Sequence, residues 1–156
     1  MVRSVDIAQY VISDDKDDIL IAPNLGPCIG VVIYSPKYHI YSLGVIPLPD
    51  SSIGMANPNV MTYMDKGIPF LVEQIQYKTG CFKKDIIINV YGGSLIGDYE
   101  FDEYDVAHRN LKACLKVITN LGLNFNIIES GGKINRTVTI NIKTGEIKSR
   151  LCNHKS

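Results

Sequence analysis

No sign of charge dominates this chain. Its 156 residues carry sixteen Lys and Arg against sixteen Asp and Glu, so it has no basic field of the kind that nucleic acid or an anionic membrane surface requires. There is no CxxC pair. The four cysteines, Cys28, Cys81, Cys114 and Cys152, lie far apart, and a chain of this length buries a core without disulfides. That spacing predicts reduced thiols and a reducing, cytoplasmic setting. No apolar run reaches the roughly 18 residues of a membrane span. Met1-Val2-Arg3-Ser4-Val5-Asp6 places an acid where a signal peptide would build its apolar segment. A soluble, unexported protein without membrane insertion and without a nucleic-acid partner is expected. Phosphate-loop glycine spacing is missing too. Asp14-Asp15-Lys16-Asp17-Asp18 lacks the glycine and the terminal glutamate of a calcium loop, so it is expected to be a solvated loop, with no metal and no cofactor. Repeats and low-complexity segments are absent, and the length predicts one domain over residues 1–156.

What the chain does have is a stretch from Ile19 to Tyr34, two apolar β-type runs joined by Pro23-Asn24-Leu25-Gly26-Pro27 and ending that turn on Cys28. A thiol at the mouth of a buried strand, beside a loop whose prolines and glycine restrict the backbone, is a place from which cysteine chemistry can start. The structural alternative is a small core residue, a common use of free cysteine.

Val2 to Ile12 alternates as one strand. Residues 28–34 and 39–46 flank Ser35-Pro36-Lys37-Tyr38 as a hairpin. With the turn centred near residues 36 and 37, Cys28 is expected opposite Val45 or Ile46, and His39 at the far end of the ribbon. Residues 53–62, rich in Gly, Asn and Pro, predict a surface loop. A helix follows with Ile68, Leu71, Val72 and Ile75 on one face, Pro69 in its first turn and Gly80 at its stop. Asp85 to Tyr91 reads as a strand buried on both faces. Asp98, Glu100, Asp102, Glu103 and Asp105 lead into a second helix with Val106, Asn110, Ala113, Cys114, Val117, Ile118 and Leu121 on its core face. Leu123 to Glu129 reads as a strand, and residues 134–142 and 146–151 as a last hairpin. The order predicts an α+β fold of mostly antiparallel sheet with helices on one side.

Five short segments, in this order and spacing, resemble the chemoreceptor glutamine deamidase family, CheD. They are Leu25-Gly26-Pro27-Cys28-Ile29, Leu48-Pro49-Asp50-Ser51, Tyr91-Gly92-Gly93-Ser94, Val106-Ala107-His108-Arg109-Asn110, and Glu129-Ser130-Gly131-Gly132 followed by Asn135-Arg136. The resemblance spans nearly the whole chain. It implies a deamidating-toxin-like sandwich of two stacked β-sheets with helices on the outer side. It also implies a Cys28 thiolate that attacks a receptor glutamine carboxamide, and as partners a methyl-accepting chemoreceptor and a CheC-type phosphatase. Gly92, Gly93, Arg109 and Asn110 become candidates for lining the site, although the glycines read first as turns.

The family's activating histidine falls on Val45 and the threonine that holds it on Ala22. Valine accepts no proton, and an unaided thiol is mostly protonated at neutral pH. Of the histidines, His39 lies beyond the hairpin turn and His154 in the tail, which leaves His108 as the candidate substitute base. Three readings follow. They are a deamidase with an altered base, a catalytically impaired pseudoenzyme that binds receptor or phosphatase, and an unrelated small-molecule binder.

Overall fold

Runs of Ile and Val at two-residue spacing form strands here, and apolar residues at three- and four-residue spacing form helices. The computed structural model describes residues 1–53, 57–93, 106–130 and 135–152. Among them are strands β1 (Val2–Ser4), β2 (Tyr10–Ser13), β3 (Ile19–Leu25), β4 (Ile29–Ser35), β5 (Ile40–Ile46), β6 (Ile87–Gly92), β7 (Asn124–Ser130), β8 (Arg136–Asn141) and β9 (Glu146–Leu151). Two α-helices, α1 (Met64–Thr79) and α2 (Val106–Leu121), complete an α+β fold.

The strands make two sheets, one in the order β1-β3-β8-β9 and the other β2-β5-β4-β6-β7. Pairing is mostly antiparallel. The parallel pairs are β1 with β3 and β6 with β7.

Alternation along the five-stranded sheet sorts its residues between two apolar layers. Ile29, Val31 and Ile33 of β4 pack with Ile68, Leu71 and Ile75 of α1 and Cys114 and Ile118 of α2. Val32 of β4, with Leu43 and Val45 of β5, packs with Leu20 and Ala22 of β3 and Val138 of β8. The layers are therefore sheet, sheet and helices, and β4 is covered on both faces. Cys28, two residues before Gly30, packs on the inter-sheet side.

Several expectations change. Val2 to Ile12 is not one strand: Ala8 takes a positive φ of 59°, and the chain leaves one sheet as β1 and joins the other as β2. Asp18 is not solvated. It is buried, accepts the Ser13 hydroxyl at 2.7 Å and pairs with Arg3 Nε at 3.0 Å, because β3 starts beside β1. Residues 57–60 are exposed, but a 3₁₀ turn at Val60–Thr62 buries Met61 and Thr62. Pro69 is the sixth residue of α1, past its first turn, and Gly80 closes the helix with φ 69° and its N–H on the Gln76 carbonyl. Val106, expected in the core, is exposed at the start of α2. The acidic residues before α2, Ser94, Gly131, Gly132 and His154 lie outside the described residues.

Candidate active site

Cys28 stands just before β4, where the turn from β3 ends. Its main chain is fixed from behind. The Gly93 N–H donates to the Cys28 carbonyl at 3.1 Å. Gly92 pairs with Ile29 at φ 95°, so close that a Cβ would collide with the Cys28 carbonyl oxygen. Here Gly92 is a close backbone approach that no side chain permits, while Gly93 adopts φ 67° without such a collision. Asn110, fully buried on α2, donates from Nδ2 to the carbonyls of Pro27 at 3.0 Å and Pro47 at 2.8 Å. One amide thus ties the residue before Cys28 to the exit of β5. Each such bond contributes about 1 kcal/mol net, and a buried carbonyl left without its donor costs about 1–3 kcal/mol.

The side chain faces an inter-sheet cavity of about 400 Å³ whose lining includes Val5, Asp6, Asn24, Cys28, Val45 and Asn135. The expected cross-strand pairing is displaced. Ile29 faces Ile46 and Gly30 faces Val45, so continuation of the register sets Cys28 opposite Pro47, and Val45 is a diagonal neighbour on the same face. The shift comes from the hairpin loop, where His39 donates its N–H to the Pro36 carbonyl at 3.2 Å and adopts φ 52°, moving the turn centre toward Tyr38. Ala22, fully buried in β3, belongs to the same inter-sheet cluster as Val45 and is followed by Pro23, which lines the cavity.

Burial pushes the Cys28 thiol up from its ordinary pKa; its own backbone N–H opposes this and the Asp6 carboxylate adds to it. No imidazole lines the cavity among the described residues. His108 and Arg109 face elsewhere, into a groove of about 570 Å³ with Asp50, Lys112 and Lys116. Hydrogen bonds from Ser52 hold the Asp50 carboxyl below the usual range, with Arg109 and Lys116 adding to this. Adjacent helical residues point about 100° apart, which is how Asn110 reaches Pro27 while Arg109 lines the outer groove. His39 packs edge-on against Tyr41 at the other end of the hairpin.

The structure thus gathers Cys28, Val45, Ala22, Gly92, Gly93 and Asn110, and sets His108 and Arg109 apart. Gly92 and Gly93 stand behind Cys28 and do not line its cavity. Sequence reasoning missed Asp6 and Asn24 as lining residues; the one signal was a polar residue inside an otherwise alternating N-terminal run. Among the described residues no group of three or more His, Cys, Asp or Glu side chains is arranged to hold a metal. All four thiols are free.

Two stacked sheets, helices on one outer face and a thiol held by its main chain at the end of an interior strand define a cysteine-bearing α+β sandwich. The family model for CheD chemotactic sensory transduction matches residues 47–151. A probable chemoreceptor glutamine deamidase CheD 1 of Syntrophus aciditrophicus is 34% identical over 146 residues, covering 92% of this chain and 89% of the relative. The probable chemoreceptor glutamine deamidase CheD of Solibacter usitatus is 32% identical over 145 residues, covering 92% and 85%. An archaeal relative with the same description, from Methanococcus maripaludis, is 29% identical over 126 residues, covering 81% and 80%. The chain belongs to the CheD family of chemotaxis proteins.

Proposed function

We propose that this chain acts in the cytoplasm, as a single CheD-like domain, on a methyl-accepting chemoreceptor, and that it converts receptor glutamine to glutamate through Cys28 only slowly. The observation that carries this reading is the Cys28 cavity itself, apolar at Val45 and without an imidazole among the described residues. In the reaction class of the family, the thiolate sulfur bonds to the carboxamide carbon, the C–N bond breaks and ammonia leaves. Water then hydrolyses the thioester to the carboxylate and returns the thiol. A base must take the thiol proton and deliver it to the leaving nitrogen, and losing such a group costs about a hundred- to ten-thousand-fold in rate. Binding has no such requirement, since a few buried anchors hold a partner without proton transfer. A CheC-type phosphatase is the second partner of this reading.

A fully competent deamidase is the second reading. It is favoured by the main-chain support at Cys28, which Gly92, Gly93 and Asn110 provide in full. The experiment is incubation with a chemoreceptor cytoplasmic fragment, reading the amide-to-acid mass gain on its peptides beside a pull-down. Binding by both the unaltered protein and Cys28→Ala, with little conversion by either, is the expected outcome. Rapid conversion that Cys28→Ala abolishes establishes the second reading instead.

A further inference from the structure

The residue of the cavity that carries charge lies on the link between the two sheets. Val5 donates its N–H to the Ile21 carbonyl at 2.8 Å, which ties the link to the four-stranded sheet. Ala8 donates to the Val45 carbonyl at 2.9 Å and Val45 donates to the Gln9 carbonyl at 3.1 Å, which tie it to the five-stranded sheet. Between these ties Gln9 donates to the Asp6 carbonyl at 3.1 Å, closing a turn, and the Gln9 Oε1 accepts the Asp6 N–H at 3.1 Å. The Asp6 carboxylate is then oriented by the Ile7 N–H, at 2.7 Å from Oδ1. Val45, where the family resemblance expects a histidine, is thus the residue to which the Asp6 turn is fastened.

Among the described residues that line this cavity, Asp6 is the one carboxylic side chain, and none is a lysine or arginine. Its field also reaches the Cys28 thiol. We infer that Asp6 gives the cavity its charge selectivity, admitting a neutral carboxamide side chain and turning back the carboxylate that deamidation makes. The inference rests on the receptor-directed reading above. A carboxamide and a carboxylate have nearly the same shape, so shape alone does not tell them apart. An ionised carboxylate does: it accepts hydrogen bonds only, which suits the amide NH₂ and repels another carboxylate. Asp6 is exposed, so the repulsion acts through partly solvated space and is screened by salt.

The test uses the amide and the acid of one alkylating reagent. Iodoacetamide and iodoacetate both react with the thiolate, so the ratio of their rates at Cys28, read from the mass of its peptide, cancels the thiolate fraction. Asp6→Asn removes the charge and keeps an acceptor for the Ile7 N–H; Asp6→Ser is the second variant should the first fail to fold. The amide-over-acid ratio of the unaltered protein should exceed that of either variant by about three- to tenfold, from the Coulomb energy of two like charges several ångströms apart near a surface. Added salt should narrow the ratio more in the unaltered protein than in the variants. A ratio that neither variant changes overturns the inference, as does one that salt narrows equally in all. None of these readouts uses receptor conversion, so the inference and the deamidation reading fail separately.

Discussion

Cys28 has two sides, and they are built to different standards. Behind it, Gly92, Gly93 and Asn110 specify the path of the main chain through a forbidden side chain and three donated hydrogen bonds. In front of it, Ala22 and Val45 supply apolar surface where the resemblance implies a threonine and a histidine. If Cys28 is the nucleophile proposed above, its main-chain scaffold and its proton machinery are separable: hydrogen bonds that fix a backbone also hold the fold together, while an imidazole beside a thiol does not. On the reading proposed above, the second is absent while the first is complete.

Rebuilding the front breaks the comparison most directly. Val45→His with Ala22→Thr restores a base on the face that Cys28 shares, and receptor-peptide conversion should rise by about a hundredfold or more. Val45 is 3% exposed, so the imidazole needs the threonine hydroxyl as a partner; Val45→His alone should gain less and should lower the melting temperature. No gain from the pair, in a protein that still folds, removes Val45 as the cause of slow conversion.

Damage to the back should show as stability. Gly92→Ala places a Cβ against the Cys28 carbonyl oxygen at a φ that favours glycine, and should destabilise by about 3 kcal/mol or more in urea denaturation. A variant as stable as the parent would mean that the approach of β6 to Cys28 is slack.

The smallest effect sharpens the contrast at the sulfur. A raised thiol pKa means that thiolate appears only at higher pH, so Cys28 alkylation by iodoacetamide should rise with a midpoint above the ordinary value of about 8.5. Asp6→Asn should bring that midpoint partway down, since Asp6 adds to a shift made mainly by burial. Cys114, whose thiol burial alone pushes up to about 12, should stay unlabelled through the same range. A Cys28 midpoint below the ordinary value would reveal an activating group and overturn the base-poor reading.

Apolar spacing made the strands and helices readable, which is why β4, β5, β6, α1 and α2 begin and end close to where periodicity and the glycine stop at Gly80 place them. What resisted reading turns on single torsions and on neighbours distant in sequence. The positive φ of Ala8 divides the N-terminal run between two sheets, and that of His39 moves the hairpin register; neither residue is a glycine that would announce it. Asp18 is buried because Arg3 arrives from another strand. The adjacency of Arg109 and Asn110 concealed their separation, since a helix aims neighbours apart. In the candidate site, Cys28 and its main-chain supports were legible as motif residues, whereas Asp6 was not, because its place in the cavity lining comes from where β1 hands the chain to β2.

The wall of the cavity is drawn from both ends of the chain, with Asp6 near one and Asn135 near the other. During synthesis the hairpin that flanks Cys28 is complete long before Arg136–Asn141 emerge to pair with β3. The inter-sheet layer closes only after that non-local pairing, which is the slow kind. Until that pairing forms, the cavity that Cys28 faces lacks the wall that Asn135 supplies, so the shelter of this thiol depends on a contact made across most of the chain's length.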